Sequence, residues 1–134
     1  MSNSAIPIAS DQDIVVARQR GRAMAAQLGF SSTDQISIAT AISELARNIV
    51  EYASIGEILL SQVHGRDNGQ VGVQVVARDQ GPGIPDTALA LKDGFSTSRS
   101  LGLGLPGTKR LMDEFEIVSE TGKGTTVTIR KWRK

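Results

Sequence analysis

Glu44 and Asn48 stand four residues apart in the run Ile42-Ser43-Glu44-Leu45-Ala46-Arg47-Asn48. On a helix this spacing stacks two side chains on one side. With Ile38, Ile42, Leu45 and Ile49 as the inward stripe, both fall roughly 100° to one side of it, on a flank that can border a cleft. A carboxylate there can take a proton from an attacking hydroxyl, and an amide oxygen can hold Mg²⁺. A solvated polar flank has the same spacing, so on the helix alone both readings stand. Arg47 projects almost directly away from the core and from this pair, and Glu51 repeats the Glu44 side one turn on.

Two glycine-rich segments add to the pair. Asp79-Gln80-Gly81-Pro82-Gly83-Ile84 follows a strand, so the strand end delivers a carboxylate into a turn whose glycines admit a ligand close to the backbone. Such an aspartate can accept from an amino group like that of adenine, although Asp, Gly and Pro also make plain turns. Leu101-Gly102-Leu103-Gly104-Leu105-Pro106-Gly107 then leads into a helix. Glycines before a helix let backbone N–H groups face phosphate oxygens, and the helix dipole favours the anion. A flexible surface loop is the other reading. The segment lacks the Gly-Lys-Ser/Thr ending of a P-loop and the spacing of a dinucleotide fingerprint.

The elements that must position these residues follow from periodicity. Ile14, Ala17, Gly21, Met24 and Leu28 recur at the helical period over residues 11–28, with Ser10 as cap and Gly29 as terminator. A second helix starts at Ser31 or Ser32, where Ser32 and Gln35 have capping-box spacing, and runs to about Ala53. Residues 57–64 and 70–78 form a hairpin around residues 65–69, and Val71, Val73, Val75 and Ala77 alternate as in a sheet with one buried face. Residues 79–104 read as a long loop. Pro106 suits the first turn of a third helix ending near Glu114, and residues 115–120 and 125–131 close the chain as a hairpin. Two helices, two strands, a helix and two strands predict an α+β two-layer sandwich with the helices on one face of a mixed β-sheet.

The chain has 134 residues, which predicts a single domain over 1–134. A net charge of +1 and a scarcity of aromatic residues argue against nucleic acid as a partner. No stretch has the roughly 20 apolar residues that span a bilayer, and the N-terminus has no secretory pattern, so no membrane is expected and the cytoplasm is the expected location. The absence of cysteine excludes disulfides and thiolate metal sites.

The order of these motifs, closed by Gly122-Lys123-Gly124-Thr125, resembles the GHKL ATPase superfamily with its Bergerat ATP-binding fold. Within it, Ser43-Glu44-Leu45-Ala46-Arg47-Asn48, Asp93-Gly94-Phe95-Ser96-Thr97-Ser98 and Lys109-Arg110-Leu111-Met112-Asp113-Glu114-Phe115 resemble the serine/threonine switch kinases of the bacterial stressosome and sigma-B module. The resemblance implies ATP and Mg²⁺ as cofactors, with Glu44 as general base and Asn48 as Mg²⁺ ligand. By position, Asp79 would bind the adenine amino group, Gly81 and Gly83 would shape the adenine pocket, and Thr125 would close it. Gly102, Leu103, Gly104 and Leu105 would wrap the phosphates, and Phe95, Ser96 and Thr97 would belong to a lid over the nucleotide. Lys109 and Arg110 could reach the phosphates, but they read first as exposed helix charges. The implied substrates are STAS-domain scaffold or antagonist proteins, and the implied downstream partner is a PP2C-type phosphatase. An anti-sigma factor with kinase activity is the alternative. Pro106 and Tyr52 depart from the broad superfamily pattern, the first because it has no N–H, the second because a basic or imidazole side chain is common there.

Overall fold

A computed structural model describes residues 3–67, 69–81 and 99–134, with the backbone course alone for 99–104. The elements are β1 (Ser4–Ile8), α1 (Asp11–Gln27), α2 (Ser32–Tyr52), β2 (Gly56–His64), β3 (Val71–Asp79), α3 (Arg99–Leu111), β4 (Glu114–Glu120) and β5 (Gly124–Trp132). The strands form one sheet in the order β1-β2-β3-β5-β4.

All four ladders of this sheet are antiparallel, which corrects the expected mixed sheet. The chain leaves β3 through α3, and β4 settles one place further out. The closing hairpin then inserts β5 between them, so β4 runs parallel to β3 without pairing with it. β1 was not expected from the sequence. Its Ile6 and Ile8 are buried while Ala5 and Pro7 face out, and Pro7 is tolerated because β1 is an edge strand.

Burial follows the register. Ile58, Ala77 and Val127 form one row across the inner face, and Leu60, Val75 and Ile129 form the next. The helices cover that face with Ile38, Ile42, Leu45 and Ile49, each no more than 2% exposed, as the stripe predicted. Each such side chain contributes about 1.5–3 kcal/mol through loss of contact with water. A Cβ on Gly21 would lie 2.1 Å from Ile42 Cδ1, so glycine lets α1 cross α2 closely.

Local chemistry sets the helix ends. Gly29, at φ +86°, terminates α1, where Gly29 N donates to Ala26 O and Phe30 N to Ala25 O, the paired bonds of a Schellman turn. Ser10 precedes α1 but makes no side-chain cap; Asp13 instead reaches back to accept from Ala9 N at 2.9 Å. At α2 the cap is Ser31, whose hydroxyl accepts from Asp34 N at 3.1 Å, rather than the Ser32 and Gln35 pair.

The largest departure is α3. It was expected to begin at Pro106, yet Gly102, Leu103 and Gly104 already lie within the helix and Pro106 is internal. The missing Pro106 N–H leaves the Gly102 carbonyl without its helical donor. The helix is held instead by packing along α2, with Leu105 and Thr108 buried and Met112 buried just past its end. It ends at Leu111, where Lys131 from β5 donates to the Leu111 carbonyl at 2.8 Å.

Candidate active site

α2 carries the proposed catalytic pair on the flank that its apolar stripe defines. Glu44 has a side-chain exposure of 24%, enough to meet a substrate from solvent. Its Oε1 accepts from Arg47 Nη1 at 2.8 Å. Arg47 was expected to point away from this pair, and the structure corrects that. Residues three apart are neighbours on a helix surface, and the long arginine side chain folds back over one turn.

Asn48 lies one turn beyond Glu44. Its Oδ1 is buried and has no hydrogen-bond partner among the described residues. A buried amide oxygen left unpaired is unfavourable, which makes it a fit acceptor for a cation. One further turn on, the Tyr52 hydroxyl is also buried and unpartnered among the described residues. Among those residues no three His, Cys, Asp or Glu side chains gather as a metal cage. Mg²⁺ suits such a place, because it takes few protein ligands and completes its shell with phosphate oxygens and water.

Asp79 ends β3 and is held by two backbone donors. Its Oδ1 accepts from Gly81 N at 2.9 Å and from Thr125 N at 3.3 Å. The first bond closes an Asx turn. Oδ2 makes no bond within the described chain and remains an acceptor for an amino group. Two glycines make this geometry possible. A Cβ on Gly124, at φ +104°, would lie 2.1 Å from Asp79 O, and a Cβ on Gly81 would lie 2.7 Å from Ala53 Cβ and 3.0 Å from Tyr52 O. Gly81 therefore lets the turn sit against the C-terminal end of α2, which links Asp79 to the helix that bears Glu44 and Asn48.

Thr125 is the second residue of β5, and its Oγ1 lies 2.8 Å from Ser119 Oγ. Ser119 was not singled out from sequence; its place opposite Thr125 in the β4–β5 register was the available signal. Leu105 is 1% exposed and its side chain belongs to the core, so only its backbone is available to a ligand. Gly102, Leu103 and Gly104 lie in the α3 backbone rather than in a loop ahead of it. Gly83, Phe95, Ser96 and Thr97 lie outside the described residues. A cleft of about 780 Å³ borders Asp79 from the outer side of the sheet, lined also by Ala53, Ile55, Arg78, Lys123 and Thr126, but it does not include Glu44 or Asn48.

The structure thus places a carboxylate and an amide oxygen with no partner among the described residues on α2, and a second carboxylate at the end of β3. Residues 8–131 match the histidine kinase-like ATPase domain family. The chain is 54% identical to the serine/threonine-protein kinase RsbT of Bacillus subtilis (strain 168), over 96% of each chain. It is 31% identical to an anti-sigma F factor of Caldanaerobacter subterraneus subsp. tengcongensis, over 93% of this chain and 89% of that one. In fold it resembles the crystal structure of the RsbU and RsbW domains of Rv1364c from Mycobacterium tuberculosis, with a TM-score of 0.65 and 21% identity, covering all of this chain and 34% of that longer one. No helix among the described residues is long and apolar enough to cross a membrane. The chain belongs to the histidine kinase-like ATPase domain family, the GHKL group, and is an ATP-binding enzyme of the serine/threonine-protein kinase kind.

Proposed function

We propose that the chain, working as one domain over residues 1–134 in the cytoplasm, transfers the γ-phosphoryl group of ATP to a serine or threonine hydroxyl of a STAS-domain protein. Once freed from that substrate it binds and activates a PP2C-type phosphatase, so that one surface exchange both ends and begins a signal. The observation that carries the kinase chemistry is the buried, unpartnered Asn48 Oδ1 one helical turn from the Glu44 carboxylate. Asp79 Oδ2 would orient the adenine end through its amino group. Glu44 would accept the proton of the attacking hydroxyl, and Asn48 would hold Mg²⁺, which supplies charge neutralisation at the phosphates. Phosphoryl transfer demands little else of a protein beyond alignment and charge stabilisation. The added phosphate brings close to two negative charges to the acceptor, enough to weaken its complex with the kinase.

The 54% identity to a serine/threonine-protein kinase, against 31% to an anti-sigma F factor, favours the switch-kinase reading over sigma sequestration. The test is incubation with Mg-ATP and a purified STAS-domain protein, followed by mass spectrometry of the acceptor. A gain of one phosphate on a hydroxyl residue is expected; no transfer at saturating nucleotide sinks the proposal. A stable complex with a sigma factor in the same preparation would support the anti-sigma reading instead.

A further inference from the structure

Arg47 reaches Glu44 through a single N–H group, and among the described residues its guanidinium makes no other bond. An arginine has five such donors, so most of its bonding capacity is left over. The side chain is 44% exposed, and Ile36 and Thr40 stand exposed on the same crest of α2, so the described chain leaves that crest open. On a helical wheel Glu44 falls between Arg47 and Asn48, which are about 100° apart. The guanidinium therefore comes to Glu44 from the crest, on the side away from the proposed metal ligand.

An acceptor hydroxyl must come within about 3 Å of the Glu44 carboxylate to give up its proton. Arg47 Nη1 lies 2.8 Å from Oε1 of that carboxylate, so a protein that brings the hydroxyl there also covers the guanidinium. Its remaining N–H groups then lose water and need new acceptors. The need grows during transfer. As the new O–P bond forms and the bond to the leaving ADP breaks, the hydroxyl proton passes to Glu44, whose carboxyl becomes neutral. Arg47 then loses the negative charge it was paired with. A second carboxylate replaces it best, because it meets two N–H groups of the guanidinium fork in parallel. We infer that Arg47 is an acceptor-recognition residue, and that the acceptor protein presents an aspartate or glutamate carboxylate to it beside the hydroxyl that is phosphorylated. This inference rests on the kinase reading proposed above and adds the chemistry by which the substrate is chosen: a hydroxyl with a neighbouring acid is taken, and one in neutral or basic surroundings strands the guanidinium.

The test is steady-state phosphorylation of a purified STAS-domain protein whose modified hydroxyl has been mapped by mass spectrometry, using the parent, Arg47→Ala and Arg47→Lys. Arg47→Ala should raise the KM for the acceptor about tenfold or more, as for an arginine whose carboxylate partner is covered in an interface. Its kcat should fall no more than about fivefold, and its Kd for Mg-ATP, from calorimetry, should match the parent. Arg47→Lys should recover part of the KM, since it keeps the charge without the fork. Changing the acid beside the acceptor hydroxyl to its amide should raise the KM of the parent similarly and add little to that of Arg47→Ala. An unchanged acceptor KM overturns the inference, even if kcat falls, because Arg47 would then only tether Glu44. Full additivity of the two changes, or a mapped hydroxyl with no acid beside it, overturns it as well. So does weaker Mg-ATP binding by Arg47→Ala, since the guanidinium would then serve the nucleotide. A parent chain that transfers no phosphate removes the kinase reading and this inference together, and that outcome differs from the others by appearing before any substitution.

Discussion

Arg47 Nη1 lies 2.8 Å from Glu44 Oε1, so the carboxylate proposed as the base is tethered to the crest of its own helix. One oxygen is engaged and the other is left to meet an acceptor hydroxyl. Glu44→Ala should retain Mg-ATP binding and lose on the order of 10²- to 10⁴-fold in phosphoryl transfer, the usual loss on removing a general base. Arg47→Ala should cost far less. The pair is 44% and 24% exposed, and such ion pairs are weak in water, so a fall in kcat of about two- to fivefold is expected. Steady-state kinetics on both variants checks the ranking, and a normal rate for Glu44→Ala would remove it from the role of base.

Asn48→Ala deletes a buried oxygen that has no partner among the described residues. It should weaken binding of Mg-ATP by roughly tenfold or more while changing little the binding of ATP in EDTA, because the lost contact is to the metal. Titration calorimetry in the two buffers measures this directly. Equal Mg-ATP affinity in variant and parent would count against the metal role.

Gly122 and Gly124 both have positive φ, at +82° and +104°, but their surroundings differ. A Cβ on Gly122 meets nothing within 4 Å, whereas one on Gly124 meets Asp79 O at 2.1 Å. Gly122→Ala should therefore cost about 1 kcal/mol from backbone strain alone, and Gly124→Ala about 2–4 kcal/mol because the β5 start must move as well. Urea midpoints give the comparison. Similar losses in the two would mean that the close approach to Asp79 adds nothing.

Glu114 offers a pH test on the outer face of the sheet. Its Oε2 accepts from Trp132 Nε1 at 2.7 Å and its Oε1 from Arg130 Nη1 at 2.7 Å. The Trp132 bond first, then the Arg130 bond, hold its carboxyl below the ordinary value of 4.5; burial opposes them, and the Arg130 charge adds the smallest contribution downward. A carboxyl with a lowered value in the folded chain contributes stability above its unfolded value and loses it as pH falls through the folded one. The Tm advantage of the parent over Glu114→Gln should hold near neutral pH and shrink below the ordinary carboxylate range. A difference in Tm that stays constant down to the acid limit would contradict it. The group is 43% exposed in its side chain, so the advantage is small.

Periodicity revealed most of the frame. The α2 stripe and the Val73, Val75, Ala77 alternation are buried as read, because each pattern has a single period and one buried face. β1 escaped because Pro7 argues against a strand unless the strand is known to lie at an edge, which is a tertiary fact. α3 began earlier than expected because Gly102, Gly104 and Pro106 are poor helix formers locally, while packing of Leu105, Thr108 and Met112 beneath α2 decides the outcome. In the site, a helical wheel gave the flank of Glu44 and Asn48 but only the starting direction of Arg47. The length of the guanidinium arm then carried it back to Glu44. No pattern in the sequence could reveal that Asn48 Oδ1 and the Tyr52 hydroxyl lack partners among the described residues, since that depends on everything packed around them.

The bond from Thr125 N to Asp79 Oδ1 is 3.3 Å, long for an amide hydrogen bond, and it joins the closing strand to the aspartate proposed to read the adenine. Its amide is thus a loosely fastened proton beside the base pocket. Isotope exchange at that single position would give a built-in occupancy gauge, slowing when a nucleotide steadies Asp79 and quickening when the pocket empties.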